Sequence, residues 1–95
     1  MSTSYDEKLK AIRKAEGLTQ TQLSDLTGIG LSTIKNYETK LKDVGLGVIE
    51  KVLSVPELQK YTLWLMTDQT APESGQIAPP AKFLDEDAKR KKTIN

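Results

Sequence analysis

Between Leu31 and Lys42 the chain reads LSTIKNYETKLK, a run of hydroxyl, amide and ammonium side chains suited to contacting a nucleic-acid duplex. Asn36 carries an amide that can pair with adenine through two hydrogen bonds, and the Lys35 ammonium can reach guanine or a phosphate. Ser32 and Thr33 offer hydroxyls to phosphates or base edges, or else support the start of a helix. Leu31 has two open uses, contact with a thymine methyl or packing back onto the core. Thr39, Lys40 and Lys42 follow and suit the phosphate backbone, a plain polar loop being the alternative. Catalysis has far less to work with. The chain holds neither Cys nor His, so thiolate and imidazole chemistry are excluded, and no spacing groups its carboxylates, lysines and hydroxyls into a site. No enzyme activity, metal, cofactor or small-molecule ligand is expected.

These side chains need a helix to carry them and neighbours to prop it. The segment TQTQLSDLTGIGLSTIKNYE reads as two helices joined at Gly28, with Leu23 and Ile34 meeting between them and Tyr37 closing the far end. Ser24 is small enough for close approach of the two helices. The second helix then turns Ser32, Thr33, Lys35 and Asn36 outward, and a rod of that width fits the major groove. Thr19 caps the first of the pair, which contains Leu23 and Leu26. Two helices this short are not stable alone, because nucleation is costly.

Support comes from both sides. An earlier helix runs from about Ser4 to Glu16, with Leu9, Ile12 and Ala15 or Glu16 at spacings of three and four, Ser4 as N-cap, Asp6 and Glu7 at the positive end of the dipole, and Gly17 ending it. Asp43 is the candidate cap of a fourth helix with the apolar stripe Val44, Val48, Ile49, Val52 and Leu53. Pro56 suits the first position of a fifth, through about Met66 or Thr67. Its Trp64, Leu65 and Met66 cover more than one helix face, which predicts a partner surface. After Asp68 the segment APESGQIAPPAKF excludes a regular helix, and Ser74 to Ala78 reads as a short strand. The expected organisation is a DNA-contacting helical domain at 1–67, an extended arm at 68–80 and a flexible charged tail at 81–95.

Ninety-five residues make one domain, and apolar residues at 37% with aromatics at 5% allow only a modest core, which often gains stability in an oligomer. Tyr61, Trp64 and Leu65 are therefore expected near a two-fold axis, with Gln76, Ile77 and Ala78 pairing across it as a strand; packing within one chain is the alternative. Net charge is only +1. Residues 1–42 nonetheless carry Lys8, Lys10, Arg13, Lys14, Lys35, Lys40 and Lys42 against Asp6, Glu7, Glu16, Asp25 and Glu38, and Lys89 to Lys92 repeat the bias. That basic run is either an added phosphate contact or a solvated end. MSTSYDEKLK lacks the apolar stretch of a signal peptide and no long apolar run appears, so the expectation is a cytoplasmic protein with no membrane partner.

The segment from Thr19 to Glu38 resembles the helix-turn-helix of the lambda-repressor and Cro-like family. Thr19-Gln20, Leu23, Gly28, Ile29, Ser32, Thr33, Ile34 and Glu38 fall on its pattern in one register, while Ser24 stands for the usual alanine and Gly30 for the usual serine or threonine. KYTLWLMTDQTAPESGQIAPPAKF is similar, further, to the C immunity repressors of P-two-like temperate phages (the peduoviruses). The resemblance implies an all-α, five-helix domain with a short C-terminal β-strand arm, acting as a homodimeric repressor on double-stranded operator DNA in the bacterial cytoplasm. Such a repressor blocks an early lytic promoter and maintains lysogeny. It also implies a phosphate contact for Gln20 and a partly buried ion pair between Arg13 and Glu38 that orients the recognition helix. The alternatives are another small regulator of this fold, an antitoxin or Cro-like protein, and a protein-binding module that does not use DNA.

Overall fold

Apolar residues spaced three and four apart along the first 53 residues close into four helices, and a change of helical pitch after them completes the core. The computed structural model describes residues 4–84. The basic run Lys89 to Lys92 and residues 85–95 of the charged tail lie outside the described residues. The chain forms α1 (Tyr5–Ala15), α2 (Gln20–Thr27), α3 (Leu31–Glu38), α4 (Leu46–Leu53), a 3-10 turn (Pro56–Tyr61), α5 (Thr62–Thr67) and a second 3-10 turn (Pro72–Ser74). Helix α1 packs against α3 and α5, α2 against α3, and α4 against the first 3-10 turn. Leu9, Ile12, Leu23, Ile34, Tyr37, Val52, Leu58 and Leu65 are fully buried in one cluster.

Local chemistry sets the helix ends. Thr19 and Gln22 form a reciprocal capping box: the Gln22 N–H donates to Thr19 Oγ1 at 3.0 Å, and the Thr19 N–H donates to Gln22 Oε1 at 2.9 Å. Gly28 ends α2 with φ 81°, a left-handed conformation that favours glycine. The turn is locked from inside, since the Ser24 hydroxyl donates to the Ile29 carbonyl at 2.6 Å. Ser24 thus holds the turn as well as giving room.

Three expectations need correction, the first in part. Ser4 is the N-cap of α1, its carbonyl accepting from the Lys8 N–H at 3.0 Å, but its hydroxyl donates to Glu7 Oε1 at 3.0 Å instead of accepting from a backbone N–H. Helix α4 is capped by Gly45 rather than Asp43, so Val44 precedes it and packs against the core from the loop. The fifth helix is broken, and the break answers the apolar excess. With three residues per turn, Val55, Leu58 and Tyr61 line up on one side, and the α-helical spacing that follows adds Trp64 and Leu65 to it. All five are buried under the chain's own core.

The arm is likewise not a strand. Among the described residues there is only an isolated bridge between Ala71 and Gln76, across the 3-10 turn. Gln76 has no backbone groups left for a ladder to a second chain, because its N–H and C=O are both paired with Ala71, at 3.0 and 2.9 Å. Its side chain caps the neighbouring segment, Oε1 accepting from the Leu63 N–H at 2.9 Å and Nε2 donating to the Gln59 carbonyl at 3.1 Å. The Ile77 N–H donates to the Lys60 carbonyl at 2.9 Å. Residues 76–77 therefore lie back on their own chain.

A buried cation ties α5 to α1. Lys8 is only 3% exposed, and its Nζ donates to the carbonyls of Trp64 and Leu65 at 3.1 and 3.0 Å and pairs with Asp68 Oδ1 at 2.7 Å. Cations suit a helix C-terminus, where carbonyls lack intrahelical partners. Lys8→Met keeps the aliphatic stem and leaves the Leu65 carbonyl unmet. It is expected to cost about 2 kcal/mol, read as a lower urea midpoint with an unchanged slope. A midpoint equal to wild type would show that this cap contributes nothing.

Candidate nucleic-acid interface

Helix α3 has two faces of opposite character. Ile34 and Tyr37 point into the core, while Ser32, Thr33 and Lys35 are exposed and Asn36 is half-buried beside them. Spacings of three and four residues relate Ser32 to Lys35 and Asn36, and Thr33 to Asn36, so the polar groups share a broad outward surface. Leu31 is half-buried at the start of the helix, between its two open uses. Gly30, the N-cap, supplies no side-chain acceptor to the first turn of α3.

The back of α3 is fixed by a charged knot. Arg13 meets Glu38 with two parallel bonds, Nε to Oε2 at 2.7 Å and Nη2 to Oε1 at 2.9 Å. The remaining Arg13 nitrogen, Nη1, donates to the Leu18 carbonyl at 2.9 Å. Gln20 Nε2 donates to Glu38 Oε1 at 3.0 Å. The Glu38 side chain is 3% exposed, so it is both desolvated and fully engaged. Fork-to-fork pairing of this kind specifies direction as well as energy. Gln20, on the first turn of α2, thereby joins α2 to the end of α3, with its second amide hydrogen still available.

Beyond α3 the chain turns through Thr39 into Lys40, which has φ 63°. The Leu41 and Lys42 amides donate to the Asn36 carbonyl at 2.8 and 3.3 Å, closing the helix. The Thr39 hydroxyl donates back to the Lys35 carbonyl at 2.8 Å. Lys40 Nζ pairs with Asp6 Oδ2 at 2.8 Å and Glu7 Oε2 at 3.5 Å. The hydrogen bond to Asp6 raises the Lys40 pKa; burial opposes this and the charges of Asp6 and Glu7 add to it. Burial alone would raise Asp6, but hydrogen bonds from Lys40 and Ser4, with the Lys40 charge, hold its carboxyl below the usual value. Lys35 and Lys42 are exposed and make no ion pair among the described residues.

The positions read as a two-fold interface differ in exposure within one chain. Tyr61, Trp64 and Leu65 are inside the chain's own core, and the Tyr61 hydroxyl donates to Glu16 Oε2 at 2.6 Å. Burial, reinforced by the Glu16 hydrogen bond and charge, pushes that phenol upward. Gln76 and Ala78 are half-buried. Ile77 is 38% exposed and Met66 42%.

Two anchors went unread in the sequence. Lys8 sits beside Leu9, one turn from Ile12, at a position on the apolar stripe of α1 where a charge signals a buried partner. The clasp of Asp6 and Glu7 on Lys40 left no such mark, since it spans 34 residues and depends on how the α3–α4 loop folds back. The Tyr37 hydroxyl is buried with no hydrogen-bond partner among the described residues, and burial, with the Glu38 charge adding and that of Arg13 opposing, pushes its pKa up.

Residues 9–59 match a helix-turn-helix family model, covering α1 through the first 3-10 turn. The chain is also similar to Repressor protein C of Escherichia phage P2, with 46% identity over 79 residues, or 83% of this chain and 80% of that protein. No helix among the described residues is long and apolar enough to cross a membrane.

Arg13→Met removes the partner of a desolvated carboxylate. Gln20 keeps one bond to Glu38, and the expected loss is about 3 kcal/mol. Thermal unfolding measures it, and a variant melting with wild type would show the pair to be energetically idle.

Proposed function

The chain belongs to the helix-turn-helix family that its residues 9–59 match, and from that premise we propose that it is a sequence-specific DNA-binding repressor of a temperate phage, blocking the early lytic promoter to maintain lysogeny. The observation that carries this reading is the two-faced α3, whose polar front is free while its back is held by Arg13, Glu38 and Gln20. A pinned helix presents base-reading groups without ordering them at the moment of binding, which preserves affinity.

In this reading Asn36 and Lys35 read base edges, Ser32 and Thr33 assist at the start of the helix, and Leu31 lies against the groove wall. Gln20 gives its second amide hydrogen to a phosphate, and Thr39, Lys40 and Lys42 flank the backbone. Repression is by occupancy, the protein covering promoter DNA that polymerase needs. One helix reads only a few base pairs, so the functional unit is a homodimer in which two modules share one operator through effective concentration. The part of the predicted interface left accessible in one chain, Ile77, is the apolar surface we assign to the dimer, and the exposed Met66 of α5 is a further candidate for it. Tyr61, Trp64 and Leu65 support it from behind, and Gln76 and Ala78 flank it.

Asn36→Ala is expected to lose about 1–3 kcal/mol at the operator and to relax preference there, whereas Lys42→Ala should weaken binding to all duplexes alike and reduce the salt slope by about one. Gel-shift titration on the DNA flanking the gene, against a scrambled duplex, checks both; equal losses on the two duplexes for Asn36→Ala would refute base reading. Sedimentation of Ile77→Asp and of a chain ending at Asp68 tests the dimer. Both are expected to sediment as monomers under conditions where wild type is dimeric, and two intact dimers would refute the assignment.

A further inference from the structure

Lys40 is an odd residue for its place. It occupies a left-handed turn position, φ 63°, that usually goes to glycine or asparagine, and its ammonium reaches back to the first turn of α1 instead of outward. There it meets two carboxylates, Asp6 at 2.8 Å and Glu7 at 3.5 Å, so one cation is outweighed by two anions. The cation is still open to water, with Lys40 58% exposed at the side chain, while Asp6 and Glu7 are 18% and 19% exposed. Lys40 and Lys42 line a shared recess of about 410 Å³, with Tyr5, Asp6 and Asp43 on its other walls. A phosphate entering that recess meets Asp6 and Asp43 together with the lysines.

Resting on the reading of this chain as a DNA-binding repressor, we infer that Asp6 and Glu7 are specificity-determining residues that hold Lys40 in reserve, competing as internal carboxylates with the phosphates of non-operator DNA. A loosely held duplex offers a mobile phosphate that must displace two fixed carboxylates and tolerate their charge. It gains little from Lys40. At the operator, α3 seated in the groove fixes a phosphate beside the recess, and the exchange of carboxylate for phosphate becomes intramolecular. The clasp therefore lowers background binding more than operator binding. Because the genome presents a large excess of competing sites, that ratio governs occupancy.

The test is a salt titration of full-length protein on a scrambled duplex and on the operator, comparing wild type with Asp6→Asn/Glu7→Gln. Freeing one cation should steepen the plot of log K against log salt on scrambled DNA by about 0.9, although two acids are removed. The variant should bind scrambled DNA more tightly at low salt, with an advantage that shrinks about threefold between about 50 and 200 mM salt. Operator affinity should rise less, so specificity falls. Adding Lys40→Gln to the double variant should cancel the steepening, and Glu57→Gln/Glu73→Gln, an equal charge change that touches no part of the clasp, should not produce it. An unchanged slope, or a gain that survives Lys40→Gln, overturns the inference while leaving the repressor reading intact. Wild type that binds neither duplex at any salt overturns both.

Discussion

The pairing of Arg13 with Glu38 is the constraint on which the rest of the molecule depends. Helices α2 and α3 are eight residues each, too short to persist without external contacts. Their relative orientation has to be imposed. One carboxylate does so, accepting both arms of Arg13 from α1 and the Gln20 amide from α2 while being itself the last residue of α3. The third Arg13 bond, to the Leu18 carbonyl, adds the α1–α2 turn to the same knot. An ion pair so far from water yields little net stability over an apolar pair of equal volume, since desolvation offsets much of its attraction. What it supplies is direction. An apolar contact would let α3 roll by a fraction of a turn, and a bidentate pair does not.

The same device recurs along α1, so that this helix acts as the frame for everything after it. Lys8 closes the end of α5, Asp6 and Glu7 hold the loop beyond α3, and Glu16 receives both the Tyr61 hydroxyl and the Lys60 ammonium, the latter at 3.1 Å. Among the described residues, the two non-glycine residues with left-handed backbone, Lys40 and Asp68, are both tethered to α1 by a salt bridge. Left-handed residues of this sort persist only where their surroundings over-determine them. In a protein with few aromatic residues, charged side chains on one helix complete what a modest apolar core leaves under-specified.

How much of this was legible in the sequence follows from the range of the signals. Thr19 and Gln22 cap α2 through bonds three residues apart, and Gly28 marks its turn by conformation alone, so the frame around the interface could be read directly. Gly45 won over Asp43 as the cap of α4 because the loop pairs the Leu41 and Lys42 amides with Asn36 and delays the next helix, a choice made by tertiary packing. The broken fifth helix was hidden for a sharper reason. Leu58, Tyr61, Trp64 and Leu65 satisfy a 3-10 period followed by an α period, and equally well an uninterrupted α-helix, so only the direction of burial separates them. The strand assigned to Ser74–Ala78 failed because the backbone of Gln76 and Ile77 pairs with Ala71 and Lys60 of the same chain, and the longer-range of these pairings, to Lys60, leaves no local pattern.

A net charge of +1 looks unpromising for a protein that binds a polyanion, yet net charge counts groups regardless of where they point. Here the anions of α1 and α3 are engaged within the fold: Glu38 by Arg13 and Gln20, Glu16 by Lys60 and Tyr61, Asp6 and Glu7 by Lys40. Lys35 and Lys42, at and just beyond the polar face of α3, are left without such partners among the described residues. Two cations without an ion pair among the described residues thus stand at and beside the polar face of α3. A uniformly basic protein of this size would bind any duplex through counterion release, and every added phosphate contact would raise operator and background affinity together. In the proposed reading, a small positive charge beside a rigidly held α3 leaves discrimination to hydrogen bonds with bases, which is the term that differs between an operator and the rest of the genome.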